Sequence, residues 1–412
     1  MPSDVNSLQE AVPPHVPPEL VRRPDHLQPN TLEDPFSLSA NVFKELPPVF
    51  YDPRPAPGLH DGVWVVTHYE DIREVYQNSD LYSTYGVLRF PTLVGETFPL
   101  IPQAVDPPEH GHYRVMLNPW FSPKKVAELE PAMRRMIGGL IEGFEGRGEC
   151  DAAYDFGRIF PVRVFLDLMG FPQAKLDEFL SWEYALLHNR GDVEKMKWGI
   201  TNAIAYLRSF IADRKAAPRD DLTSHIVTAR LEGRPISDDE IIGTMFFLWI
   251  GGLDTVAATW SLMIRRLALN PGLQDALRAD PDLIPDAIEE FLRVQPLVNS
   301  VRRAKADHEI RGVRILKGDH VLTYNNAGNF DPAEFENPRE VRFDRAQNRH
   351  FTLAGGPHRC LGSHLARREL RIALAEFLQR IPPFRLKPGA DRTAHPGLIA
   401  APHLPIVWDN PG

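Results

Sequence analysis

Cys360 stands in the run LAGGPHRCLG, after two glycines and a proline and ahead of the amphipathic stretch SHLARRELRIALAEFLQRI. A cysteine that opens a helix meets unpaired N–H groups and the positive end of the helix dipole. Both favour the thiolate and so lower the thiol's pKa. His358 and Arg359 add positive charge beside it. A thiolate so placed can act as a nucleophile or as a ligand for a soft metal. The glycines allow the backbone to approach a bound group closely. A small buried cysteine at a turn would leave the same trace, since free cysteine is among the most buried residue types. A cysteine protease would also need a base and an oxyanion site, and no residues identify either.

Two other groups carry possible chemistry. Gly251-Gly252-Leu253-Asp254-Thr255 interrupts an otherwise apolar helical run. Each glycine costs about 1 kcal/mol relative to alanine in a helix. A buried acid and hydroxyl cost more unless they are hydrogen-bonded. The run is therefore either a packing notch between helices or a functional groove, in which Thr255 disturbs the backbone ladder and Asp254 handles protons. Local rules tend to break at functional sites, which favours the groove. Glu290 and Arg293 lie at i, i+3, a spacing that also arises by chance and on a surface helix is worth only a few tenths of a kcal/mol.

The elements that must position these residues are mostly helical. PKKVAELEPAMRRMIGGLIEGFEG and VEKMKWGITNAIAYLRSFIADRK are amphipathic. Ser237 and Glu240 form a capping box, and the helix they start runs to the stop at Asn270-Pro271-Gly272. Some thirty residues make a rod of about 45 Å. PDLIPDAIEEFLRVQP predicts a further helix ending before Pro296. VWVVTHY, VRILKG and HVLTYN predict short strands, and an Asn-, Asp- and Pro-rich coil runs from Asn325 to about Asn348. The expected fold class is mainly α with a small β portion. Residues 1–40 form an extended Pro-rich arm, and residues 41–412 form a single domain.

With 412 residues, 43% of them hydrophobic, the chain can bury a large core. Its net charge of −9 argues against a nucleic-acid binder. Two cysteines cannot build a secreted disulfide framework. The first residues offer neither a basic nor an apolar region of a signal peptide, so the cytoplasm is the expected location. Ile241–Ile264 is long enough to cross a bilayer, but Asp254 at its middle would cost about 2.5–3.5 kcal/mol. A buried helix of a protein without a membrane span is expected instead.

Taken together and in this order, these features resemble the cytochrome P450 family. Gly356, His358, Cys360 and Gly362 fall on its haem-loop signature; Glu290-x-x-Arg293 matches its E-x-x-R; GGLDT matches its oxygen-binding segment. FENPREVRFDR, with Phe335, Pro338 and Arg345, resembles its meander. DPPEHGHYR resembles the segment of soluble bacterial members that reaches the haem propionates. GGLDTV, DPPE and the closing LPIVW are most similar to the camphor-hydroxylase group. Two departures stand out. Leu353 and Ala354 replace the signature's leading aromatic and following glycine, and Phe98 aligns with a tyrosine that donates to a substrate ketone.

The resemblance implies a haem b cofactor, a single domain with a long central helix over it, and the insertion of one oxygen atom from dioxygen into a substrate. Cys360 would be the axial ligand and push electron density onto the iron. His110, Arg114, Arg302 and His358 would pair with the propionates. Asp254 and Thr255 would deliver protons to the oxygen, and Glu290, Arg293 and Arg345 would form a network behind the loop. Phe98, Leu100, Phe247, Ile250, Val298 and Leu398 would line an apolar pocket for a compact substrate, with a terpenoid the best guess. Arg89, near the pocket region, could instead hold a carboxylate, although a surface-facing arginine is commoner. The chain has no flavin or nicotinamide fingerprint, which implies a separate 2Fe-2S ferredoxin with its reductase. Lys124, Lys125, Arg359, Arg367 and Arg368 offer a basic patch for such an acidic partner. A monomer is expected. A peroxide-driven enzyme or a haem gas sensor or carrier are the alternatives; Asp254-Thr255 argues against the first, and the absence of an output domain against the second.

Overall fold

The capping box at Ser237 forms as the sequence requires. In the computed structural model the Ser237 hydroxyl accepts from Glu240 N, and the Glu240 carboxylate accepts from Ser237 N. The helix it starts spans Asp238–Leu269, 32 residues without a break. The structure describes residues 12–24, 33, 36, 41–54, 61–189, 192–394 and 401–409.

This long helix is largely apolar because most of it is buried. Trp249, Trp260, Met263 and Ile264 have no solvent exposure. It is long and apolar enough to cross a membrane, yet two-thirds of its most apolar stretch is covered by the rest of the chain. The helices Phe160–Met169, Leu176–Leu187 and Val193–Ala216 pack along it. The two amphipathic stretches named above become Pro123–Glu142 and Val193–Ala216, and Ile284–Val294 ends before Pro296. The main β element is a five-stranded sheet in the order Val49–Asp52, Val63–Val66, His320–Thr323, Ser300–Ala304, Tyr82–Ser83. Val63–Val66 and His320–Thr323 run parallel, and the other pairs are antiparallel. Between Val313–Ile315 and His308–Ile310 a separate small hairpin forms. A third small sheet ties Pro405–Trp408 to Glu149–Asp151 and Phe384–Leu386, pairings that carry no local signal.

Two local expectations need correction. Cys360 does not open the following helix, which begins at Ser363 with Gly362 at its cap. Nor does Thr255 break the ladder of the long helix; its hydroxyl donates to Gly251 O at 3.2 Å while the helix continues. Of the N-terminal arm, residues 12–24 lie against the sheet, where Val21 bridges to Tyr51 and His15 Nε2 is 2.9 Å from Asp319 Oδ2, whereas Phe36 packs in a cluster with Ala258 and Leu262 of the long helix.

Candidate active site

The two glycines of the long helix do different work. A Cβ on Gly252 would stand 2.6 Å from the Phe165 ring, so this residue is the notch that admits the Phe160–Met169 helix. A Cβ on Gly251 would meet nothing within 4 Å. Gly251, Gly252 and Thr255 line a cavity of about 290 Å³, and Cys360, Leu353, Ala354 and Leu361 of the cysteine loop line the same cavity. The run is thus both notch and groove.

The cysteine loop is held from behind. Gly356 takes φ +64°, and a Cβ there would lie 2.1 Å from Tyr76 O, so only glycine fits. Ala354 also sits in the left-handed region, at φ +56°. This is where the resembling signature has glycine, so the alanine pays a strain cost on the order of 1 kcal/mol. Thr352 Oγ1 donates to Leu292 O at 2.6 Å, and Phe351 N donates to Asn329 Oδ1 at 2.8 Å. Asn329 Nδ2 in turn donates to Arg293 O and Thr352 Oγ1, both at 3.0 Å.

Arg293 and Glu290, both without solvent exposure, form a two-pronged pair at 2.8 and 2.7 Å. Arg293 also donates to the carbonyls of Asn329, Pro338 and Glu340. Glu290 accepts further bonds from Arg345 Nε, Arg342 N and Asn348 Nδ2. Burial alone would raise the Glu290 carboxyl, but Arg293, the Arg342 N–H and Arg345 together hold it below the usual carboxylate range. The network expected from Glu290, Arg293 and Arg345 is present. Asn329, its link to the cysteine loop, was not foreseen, since an asparagine in an Asn-rich coil reads as turn chemistry.

Burial raises the Cys360 thiol, against the pull of the Gly362 N–H and of Arg114, Arg367 and Arg359. The expected fall in pKa is therefore overturned, because desolvation outweighs the nearby donors. A coordinated metal removes that proton outright. Arg114 and His110 line the cavity beside His358, whose ring lies 4.1 Å from that of His110. Burial, then Arg114, brings His110 down to about 4. Burial, then Arg302, brings His358 down to about 2. His110 Nε2 and His358 Nδ1 are buried without hydrogen-bond partners. Arg302 is 3% exposed, and among the described residues neither it nor Arg114 has an ion pair. Buried cations without acids are costly. Two guanidiniums that donate only to backbone carbonyls, at Arg359 and Val301, and two imidazoles with unpartnered buried nitrogens, near a half-buried cysteine, fit a metal-holding group with two carboxylates.

Other expected positions scatter. Phe247 and Val298 line the cavity, whereas Phe98, Leu100 and Ile250 are not among its lining residues. The Phe98 ring packs on Phe246 at 5.9 Å. Leu398 lies outside the described residues. Arg89 is not a lining residue either; it stands near enough to His320 to help lower its pKa. Thr255 lines the cavity, but Asp254 turns toward His188. Pro102, Gln103 and Phe165 line it without having been foreseen. Phe165 could have been found, because Gly252 needs a large partner; the loop residues gave no signal.

A helical fold built on one central rod, with a cysteine at a cavity where Arg114 and two neutral imidazoles meet and Arg302 stands close to His358, defines a haem-thiolate oxygenase. The comparisons agree. The family profile described as "Cytochrome P450" matches residues 168–400. A probable cytochrome P450 127A1 of Sinorhizobium fredii is 36% identical over 96% of this chain and 97% of its own. A steroid C26-monooxygenase of Mycolicibacterium smegmatis is 31% identical over 88% and 90%. The crystal structure of cytochrome P450 CYP101C1 superposes with a TM-score of 0.84 at 33% identity, covering 97% of this chain and 100% of that one. The chain belongs to the cytochrome P450 family, as an oxidoreductase that binds haem b.

Proposed function

We propose that the protein is a monooxygenase for compact, largely hydrocarbon substrates, of the terpenoid kind, supplied with electrons by a 2Fe-2S ferredoxin. The observation that carries this reading is that Thr255 and Cys360 line one cavity whose other walls include Phe121, Phe247, Leu248, Val256, Leu297 and Val298, beside polar residues such as Gln103 and Asn325. Apolar walls stabilise an apolar guest by about 25 cal/mol per Å² buried and offer a polar one little in exchange for its lost water.

Haem held by Cys360 supplies the activation of dioxygen and the insertion of one oxygen atom. The chain's own residues do the rest. Arg114, Arg302, His110 and His358 would bind the two carboxylates of the group; the imidazoles, kept neutral by burial, would donate from N–H. Thr255 presents its hydroxyl to the cavity and passes protons inward. Asp254, one residue earlier, supplies them from the outer side of the helix. Phe247 and Val298 orient the substrate and exclude water.

The ferredoxin reading draws on Lys124 and Arg359, which are exposed and have no ion pair among the described residues. The rest of the patch is partly spent: Arg367 pairs with Glu289 at 2.7 Å, Arg368 pairs with Glu130, and Lys125 lies 5.1 Å from the Trp120 ring centre. The reading takes residues 41–412 as one catalytic domain with residues 1–40 as its arm. It also takes the protein as cytoplasmic, since among the described residues the one helix of membrane length is mostly packed inside the core.

The test is a panel of alicyclic terpenoids, steroids and macrolides, scored by the Soret shift that substrate causes in the ferric protein. Small terpenoids should shift the band at the lowest concentrations. A panel in which only steroids or macrolides bind would overturn the substrate class.

A further inference from the structure

On the side of the long helix that meets the end of the Leu176–Leu187 helix, three ionisable side chains converge. His188 Nε2 is 3.1 Å from Asp254 Oδ2 and 4.0 Å from Glu183 Oε1. The ligand-capable atoms of the three lie within 4.8 Å of one another. The Glu183 side chain is 3% exposed, and its Oε1, the oxygen nearest His188, has no hydrogen-bond partner. Burial, and then the charge of Asp254, push the Glu183 carboxyl well above its ordinary value. The His188 side chain is 7% exposed, its ring stacked on Tyr184 at 4.8 Å; Asp254, at 15%, gives an approach from solvent. Among the described residues no lysine or arginine pairs with either acid.

A buried carboxylate beside a second acid needs a positive charge or a proton between the two. We propose that His188, Asp254 and Glu183 form a binding site for a divalent transition-metal ion of the zinc class. His188 Nε2 and one oxygen of each acid are the ligands, and water takes the open position. One imidazole with two carboxylates suits zinc and its neighbours better than calcium or magnesium, which prefer all-oxygen shells. Zinc bonds of about 2.0–2.1 Å in a tetrahedron set ligand atoms about 3.3 Å apart. The His188–Asp254 pair already stands at that spacing, and Glu183 closes the remaining gap by rotating its carboxylate. The bound ion pins Asp254 on the outer side of the long helix. Where Asp254 feeds protons to Thr255, as the reading above has it, the ion is a brake on turnover; the site itself does not depend on that reading.

The test uses the haem-loaded protein, cleared of metal by chelator and titrated with Zn²⁺ against a chromophoric competitor. The wild type should hold one equivalent that His188→Ala lacks, while sites at surface histidines stay the same in both. Glu183→Gln, which keeps shape and buries no charge, should weaken that one equivalent at least tenfold while leaving the Soret spectrum unchanged. Equal zinc stoichiometry and affinity in the wild type and both variants would overturn the proposal. In the same samples, turnover of the wild type should fall as the site fills, and turnover of Glu183→Gln should not at that concentration. Zinc that binds at His188 without slowing turnover would leave the site standing and overturn the proton role of Asp254.

Discussion

Asp254 and Thr255 are adjacent in the chain and serve different sides of the long helix: Thr255 lines the cavity, while Asp254 Oδ2 lies 3.1 Å from His188 Nε2 beside another helix. On the proposed reading, proton supply and proton delivery would be split between two neighbours.

Removing the delivering hydroxyl should separate electron use from product. Thr255→Ala should keep substrate binding and the Soret shift, while reductant is spent on hydrogen peroxide. General acid–base help is typically worth about 10²–10⁴-fold, so the loss of product should be large. Product, peroxide and reductant are measured in one reaction. Full coupling in the variant would leave Gly251–Thr255 with a packing role only.

Cys360 is the thiol lining the cavity, whereas Cys150 is buried in the core, where desolvation and nearby acids raise its pKa strongly. The reduced protein with carbon monoxide should therefore show the long-wavelength Soret band of thiolate ligation, and Cys360→His should lose it. Retention of the band would point the assignment elsewhere.

Glu290 carries four donors at one buried carboxylate, so Glu290→Gln should cost about 3–5 kcal/mol, as breaking a buried pair does. The sign of the pH effect follows from its lowered folded pKa. An unfolded glutamate titrates near about 4.3. The ionised network contributes fully above that pH, and its contribution is lost as pH falls through the lower folded value. Denaturant unfolding of wild type and variant should show a gap that is wide at neutral pH and narrows in acid. A gap independent of pH would show that the carboxylate charge is not what the network uses.

Three small residues should respond in opposite directions. Ala354→Gly removes a left-handed alanine and should stabilise by about 0.5–1 kcal/mol. Gly252→Ala drives a methyl into Phe165 and should destabilise by about 1–3 kcal/mol. Gly251→Ala meets open space and should gain up to about 1 kcal/mol of helix propensity while changing substrate preference. Thermal unfolding reads all three, and stabilisation by Gly252→Ala would contradict the notch.

The parts of the site legible in the sequence are those whose signal is local. The capping box at Ser237, the Gly-rich loop before Cys360, Glu290-x-x-Arg293 and the glycine pair at 251–252 all announce themselves within a few residues. What escaped depends on burial or on distant partners. The Cys360 thiol was judged from its neighbours in the chain, and desolvation reversed the sign. Phe98 was placed in the pocket by alignment, but its ring meets Phe246 in the core. His188 finds Asp254 across 66 positions, and Asn329 joins Arg293 to the loop from within a coil. No period or spacing encodes such meetings; they are set by how the helices pack.

The two walls of the cavity are moored to different supports. The sulfur-bearing loop hangs from Leu292, Arg293 and Asn329, whereas Gly251 and Thr255 belong to the long helix, which rests on Phe165 and its neighbours. Substitutions among the helices above therefore act first on the room for a guest, and substitutions in the coil below act first on the surroundings of the sulfur.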